Sequence, residues 1–244
     1  RKKQNGHKVD TRLSKYEVYD NLLPSRQDGV NAFISISRGC DKFCTFCIVP
    51  FTRGRERSRS NESIIREVQD AVKNGFAEIT LLGQNVNSYR TEEGKFPHLL
   101  EGVAMVPGVK RIRYMSPHPQ DMDDHLLQVM SEHKNICKHV HLPLQAGSDR
   151  ILKRMNRTYT KTEFLNLVDT IREYLPDCSI STDIIVGFPG ETNAEYEETL
   201  EVMNQVIFDR AFMFKYSSRP GTKASEYSDQ IDEDIKQGRL ARLI

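Results

Sequence analysis

Three cysteines, Cys40, Cys44 and Cys47, stand within eight residues as C-x-x-x-C-x-Φ-C, with Phe46 as the aromatic. Thiolates suit iron-sulfur clusters and zinc, and three of them on one loop can reach three corners of a 4Fe-4S cube while the fourth iron stays open. A structural zinc ion would need a fourth nitrogen or sulfur ligand. Cys137 and Cys178 stand alone and far apart and form no second pair, whereas His7 or His98 can be recruited, so the spacing leaves both metals open. Cys137 and Cys178 themselves read as small buried side chains.

The segment from Gly39 to Cys47 resembles the cluster loop of radical S-adenosylmethionine enzymes. The stretch from Ile48 to Arg59, with Leu82 to Tyr89, His141 to Asp149 and Met155 to Thr160, resembles the methylthiotransferases of that group, and the likeness runs from about Ala32 to Lys223. The resemblance implies a 4Fe-4S cluster whose open iron is chelated by the methionine end of S-adenosyl-L-methionine. It also implies one-electron cleavage of the sulfonium to a 5′-deoxyadenosyl radical, chemistry that a cofactor supplies and side-chain acids and bases cannot. An electron donor such as a flavodoxin or ferredoxin is then required. The reaction implied is attachment of a methylthio group, and the stretch from Gln84 to Tyr89 favours C2 of an isopentenylated adenosine next to the tRNA anticodon. Sister enzymes act on threonylcarbamoyl-adenosine in tRNA or on an aspartate of a ribosomal protein. A zinc-stabilised RNA-binding module without catalysis is the reading from another class.

The resemblance also distributes roles. Cys40, Cys44 and Cys47 are the metal ligands. Cofactor contacts are expected at the end of the second strand, at Gly83 and Asn85, where Gly83-Gln84-Asn85 departs from the Gly-Gly-Glu of many radical enzymes. Gln145 and Ser148 are expected at the ribose or methionine end, and Gly187 and Glu191, in Gly187-Phe188-Pro189-Gly190-Glu191, at the adenine. Asp183 is a candidate to hold an arginine or move a proton. Arg53, Arg55, Arg57 and Arg59 alternate just past the thiols as candidates to contact phosphates or the cofactor carboxylate, Arg53 and Arg59 foremost because they lie within the family-like signature. Arg150, Lys153, Arg154, Arg157 and Lys161 recur at helical spacing as either a phosphate-binding row or a solvated face.

The scaffold must bring these segments together. After Gly29, short β-rich runs alternate with amphipathic ones, predicting six strands near 32–37, 78–82, 111–116, 139–144, 179–186 and 211–216, each followed by a helix. Six parallel βα units form an α/β fold. The resemblance makes it an open (β/α)6 partial barrel of TIM type, with the site on the loops after the strands. Ile64, Ile65, Val68, Ala71 and Val72 form one apolar helical stripe, and Phe164, Leu165, Val168, Ile171 and Leu175 another. Thr160 with Glu163, and Thr192 with Glu195, have capping-box spacing. Strand alternation sets His139, His141 and Gln145 opposite Val140, Leu142 and Leu144, and Ser181 and Asp183 opposite Ile180, Thr182 and Ile184; with the apolar faces under helices, the polar faces predict a polar lumen.

With 244 residues and 38% hydrophobic content the chain can bury a full core. Its net charge of +1 gives no global pull toward nucleic acid, so RNA contacts must use local patches. No apolar run reaches the roughly 20 residues that span a bilayer, which fits a cytoplasmic protein with no membrane partner. Residues 1–28, with six Lys or Arg among the first 15, read as a polar basic arm, 29–230 as the catalytic barrel and 231–244 as a terminal helix. Relatives implied by the resemblance carry an upstream domain with a second 4Fe-4S cluster and a downstream RNA-binding domain, so the sequence reads as the central catalytic fragment.

Overall fold

The computed structural model describes residues 2–4, 7–9, 18, 20, 23–26 and 29–244. Six parallel strands follow one another: β1 (Asn31–Ser35), β2 (Glu78–Leu82), β3 (Arg111–Tyr114), β4 (His139–His141), β5 (Ser179–Val186) and β6 (Arg210–Lys215). They pair as β1-β2-β3 and β4-β5-β6, all in parallel. The two sheets meet where the Ile112 N–H donates to the Asn135 carbonyl (2.7 Å) and Cys137 N–H to the Ile112 carbonyl (3.0 Å). Spatial order therefore equals chain order, and among the described residues β1 and β6 do not pair, so the sheet is open.

Helices α1 (Asn61–Lys73), α2 (Phe96–Ala104), α3 (Asp124–Glu132), α4 (Asp149–Arg154), α5 (Lys161–Tyr174), α6 (Asn193–Val206) and α7 (Glu233–Leu243) separate and follow the strands. Their starts are written in side chains. Asp123 accepts from Leu126 N–H, and the Thr160–Glu163 and Thr192–Glu195 pairs form reciprocal capping boxes. The predicted stripes are the buried faces, Ile64, Val68 and Ala71 on α1 and Phe164, Val168 and Ile171 on α5, which join one core with Ile34, Ile79, Leu81 and Ile112 of the sheet. Each such side chain contributes roughly 1.5–3 kcal/mol on leaving water. No described helix is long and apolar enough to cross a membrane.

Four strands stop earlier than the β-rich runs suggested, β1 by two residues, β6 by one, and β3 and β4 for identifiable local reasons. Ser116 takes a left-handed φ of +60° ahead of Pro117, which ends β3 at Tyr114. Pro143 has no N–H for the ladder, so β4 ends at His141. Pairing resumes beyond it through side-chain help: the Leu144 N–H donates to Thr182 Oγ1 (3.0 Å), and Gln145 N–H to the Asp183 carbonyl (2.8 Å).

The arm expected over 1–28 lies largely outside the described residues. Within it, Asp20 accepts from the Ser60 N–H (3.0 Å) and Arg26 pairs with Glu67 on α1. At the other end, α7 is fastened by a buried ion pair, Arg239 Nη1 to Glu191 Oε2 at 2.7 Å, with side-chain exposures of 8% and 1%. Burial pushes the Glu191 carboxyl up, opposed by the Gly187 N–H and by Arg239. Substituting Arg239 by Ala strands that carboxylate and is expected to cost about 3–5 kcal/mol in urea denaturation, whereas Arg239→Met combined with Glu191→Leu should cost far less.

Candidate active site

The thiols sit on a loop that opens directly after β1. A two-residue antiparallel ladder, Ser37–Arg38 against Arg57–Ser58, closes it at the base. Gly39 adopts φ +83°, and a Cβ there would overlap the Arg55 carbonyl, so the turn into Cys40 demands glycine. Gln84 Oε1 accepts from the Gly39 N–H (2.6 Å), tying the loop to the end of β2. Gly83 is constrained less strictly: a Cβ there would come within 2.5 Å of Ser37 Oγ, a hydroxyl that can rotate away.

The far side of the loop is held by the segment after α4. Asn156, at φ +57°, donates from Nδ2 to the carbonyls of Lys42 and Phe43, both at 3.0 Å. Thr45 donates through N–H to the Met155 carbonyl (3.0 Å) and through Oγ1 to that of Arg154 (2.8 Å). Lys42 pairs with Asp121 at 2.8 Å. Arg157 donates to Cys44 Sγ at 3.4 Å while its other nitrogens hold the Pro143 carbonyl (3.0 Å) and Tyr159 Oη (2.9 Å).

All three cysteines are free thiols of intermediate exposure. Burial pushes the Cys40 thiol up to about 11, with the neighbouring Cys44, Cys47 and Glu56 adding to it, and raises Cys47. Among the described residues no three His, Cys, Asp or Glu side chains are gathered tightly enough for one metal ion. The thiols are electrostatic neighbours on this one loop.

Among the described residues, four buried hydroxyl or amide oxygens near strand ends lack a hydrogen-bond partner: Ser37 Oγ, Asn85 Oδ1, Gln145 Oε1 and, just past β6, Tyr216 Oη. The other end of Asn85 donates to Asp121 Oδ2 (2.7 Å), and Gln145 is held at φ +72°. Orphaned buried acceptors are rare in folded proteins and mark where a polar ligand fits. Below them, Ser181, His139, His141 and Asp183 line a lumen cavity of about 550 Å³. Ser181 Oγ lies 3.0 Å from His139 Nε2 and 3.0 Å from His141 Nδ1, and His141 Nε2 lies 3.1 Å from Asp183 Oδ2. The alternation read from the strands is therefore realised as one polar hydrogen-bonded row.

Other candidates are engaged elsewhere. Ser148 Oγ donates to Glu195 (3.3 Å) and is buried, and the space beside Gly187 is taken by Lys236 of α7. Glu191, expected at the cofactor, faces Arg239 and Gly187 instead, because burying Arg239 demands a counter-charge. Arg59 is a correction. Expected at a phosphate or carboxylate, it is buried between Glu67 (2.6 Å), Ser63 and the Ser35 carbonyl, joining α1 to β1. The helical row of cations is largely ion-paired within the protein, Arg150 with Glu195, Arg154 with Asp229 and Lys161 with Glu198. Arg53 is exposed at the end of the short helix Val49–Arg53. The sequence reading passed over Gln84, Asn156 and Arg157 as individual contacts. Asn156 carried a signal, since Asn tolerates the left-handed conformation better than most residues.

A family profile described as the radical SAM superfamily matches residues 34–203, spanning the thiol loop and every strand through β5. The chain belongs to the radical SAM superfamily. Curated proteins named tRNA-2-methylthio-N(6)-dimethylallyladenosine synthase resemble it: that of Porphyromonas gingivalis is 50% identical over 97% of this chain and 52% of its own length. The Phocaeicola vulgatus protein is 51% identical over 97% of this chain and 53% of its own. The chain thus spans about half the length of these relatives. Among solved structures, the radical S-adenosylmethionine methyltransferase TsrM of Kitasatospora setae superposes with a TM-score of 0.71 at 14% identity, over 92% of this chain and 44% of that one. Coproporphyrinogen III oxidase of Escherichia coli gives 0.61 at 14% identity, over 86% and 50%. These two share the radical SAM fold.

Two predictions follow from the loop's supports. Gly39→Ala should sharply lower the iron bound per chain after anaerobic reconstitution, read by iron and sulfide analysis. The second concerns His118, which anchors the Pro119–Asp121 turn behind Lys42: its Nδ1 accepts from Gln120 N–H (3.2 Å), and burial pushes its pKa down to about 2. A depressed pKa gives stability that is fully present above the ordinary 6.5 and is lost as pH falls toward 2. His118→Gln keeps an acceptor and should remove up to about 1.4 kcal/mol per pH unit of that acid slope, visible as a smaller drop in melting temperature between pH 7 and 5.

Proposed function

We propose that this chain is the catalytic barrel of a radical S-adenosylmethionine methylthiotransferase that modifies C2 of an isopentenylated adenosine in the anticodon loop of tRNA. The observation that carries the reading is the gathering of three thiols on a strand-end loop, in a chain about 50% identical to curated synthases of that name. Cys40, Cys44 and Cys47 would each hold one iron of a 4Fe-4S cluster. When bound, the cluster and S-adenosyl-L-methionine supply one-electron cleavage of a sulfonium, which no side chain here can supply.

The chain's own residues do the positioning. Arg157, whose guanidinium meets Cys44, offsets the negative charge that three thiolates concentrate. Asn85 Oδ1, Gln145 Oε1 and Ser37 Oγ are acceptors for the ammonium and ribose hydroxyls of the cofactor, and Gly83 leaves room beside Ser37. The His141–Asp183 pair can hold a proton within the lumen. Arg53 meets a phosphate or the cofactor carboxylate. The target base must leave its stack to enter, which is easier in a single-stranded loop than in a duplex. A flavodoxin or ferredoxin would deliver electrons, and a tRNA substrate fits a cytoplasmic enzyme. The threonylcarbamoyl-adenosine and ribosomal-protein branches, and a catalytically silent zinc module, have no observation in their favour.

Anaerobic reconstitution with iron and sulfide should give a brown protein that cleaves S-adenosyl-L-methionine reductively. Cys44→Ala should bring that cleavage to background with the fold retained by circular dichroism. Wild-type cleavage rates in the variant, or a colourless protein with stoichiometric zinc, would defeat the assignment.

A further inference from the structure

We propose that the outer face of the thiol loop, Phe43 and Phe51 with Arg53 and Arg55, is a stacking platform for unpaired bases of a single-stranded RNA loop. This rests on the tRNA reading above and deepens it by naming where the RNA lies while its target base enters the sheet.

Two phenylalanines face solvent here, Phe51 at 52% and Phe43 at 37% exposure. Their rings meet edge to face, 6.3 Å apart at 81°. The Arg55 guanidinium lies over the Phe43 ring at 5.3 Å and pairs with Asp41 at 2.8 Å, yet its side chain is 72% exposed. Arg53 is exposed and has no ion-pair partner among the described residues.

The platform is prebuilt. Arg57 donates to the carbonyls of Arg53 (3.1 Å) and Arg55 (2.8 Å), and the Gly54 N–H donates to the Pro50 carbonyl (3.1 Å). Phe43 sits at φ +50°, unfavourable for a bulky side chain, and its carbonyl is gripped by Asn156. That backbone shapes the turn between Cys40 and Cys44, and it leaves the Phe43 ring facing water instead of the core.

Aromatic faces interleaved with arginine suit unstacked bases and their phosphates, and duplex RNA buries the faces that such a surface reads. Net charge is only +1, so attraction to RNA must come from a patch of this kind. An acidic electron-transfer protein would use the arginines and leave the exposed rings without a partner.

The chain contains no tryptophan, so Phe51→Trp installs a single indole that keeps an aromatic surface. A stem-loop RNA carrying an unmodified anticodon-type loop should quench its fluorescence, and inorganic polyphosphate should not. Phe51→Ala should weaken stem-loop binding about tenfold while leaving binding of a fully paired duplex of equal length unaltered. Arg53→Gln should make the plot of log affinity against log salt shallower by about 0.7. Iron content after reconstitution checks that each variant folds, and the indole variant tests the same face if Phe51→Ala does not. Stem-loop affinity indifferent to Phe51→Ala, equal losses on duplex and loop, or quenching by a flavodoxin and not by RNA would overturn the platform. A brown, cofactor-cleaving protein with any of those results loses the platform alone, whereas a colourless protein inert toward S-adenosyl-L-methionine loses the functional reading itself.

Discussion

The thiol loop has almost no regular structure of its own, and its order depends on a clamp from a segment more than a hundred residues away. Asn156 grips two consecutive carbonyls of the loop, Thr45 donates twice to the end of α4, and Arg157 closes on Cys44. One such hydrogen bond is worth about 1 kcal/mol net. Acting together on a short stretch, they remove backbone freedom that would otherwise cost roughly 1–2 kcal/mol per residue when a ligand orders it. The loop's chemistry is therefore set as much by α4 and its exit as by the cysteines.

The clamp works because the sheet beneath it is divided by face. Residues pointing outward from β1, β2 and β5 are aliphatic apart from Thr182, which bonds to Leu142, while the inner residues of β4 and β5 form the row from His139 to Asp183. At the upper rim that row gives way to Ser37, Asn85 and Gln145, each with an unpartnered buried atom. Leaving such an atom unsatisfied costs about 1–3 kcal/mol. A polar ligand that paired with all three atoms would recover that cost.

Much of this was legible from residue order. Periodicity located all six strands, the Thr-x-x-Glu pairs marked two helix starts, and cysteine spacing picked out the loop. Errors arose where a partner outside the local motif decides. Arg59 sits in the family-like signature but is buried against Glu67, while Arg157, in a row that reads as a solvated helical face, is the one that reaches a thiol. Glu191 follows a glycine turn that suits a ligand, and only the return of α7 reveals Arg239 opposite it. Pro143 and the left-handed Ser116 shortened strands whose side-chain pattern runs on unbroken.

The unjoined margins of the sheet carry aromatic rings, Phe33 on β1 and Phe212 and Phe214 on β6, all exposed. A closed barrel would have to break ladder hydrogen bonds to widen, and it could admit only molecules small enough to pass through its ends. Here β1 and β6 are unpaired with each other among the described residues, and the Ala224 N–H donating to the Thr45 carbonyl (2.9 Å) bridges the gap at the thiol-loop end. A residue still covalently threaded in a polymer has two strands of chain leaving it, and a side-opening slot lets both trail outside while the residue itself goes in.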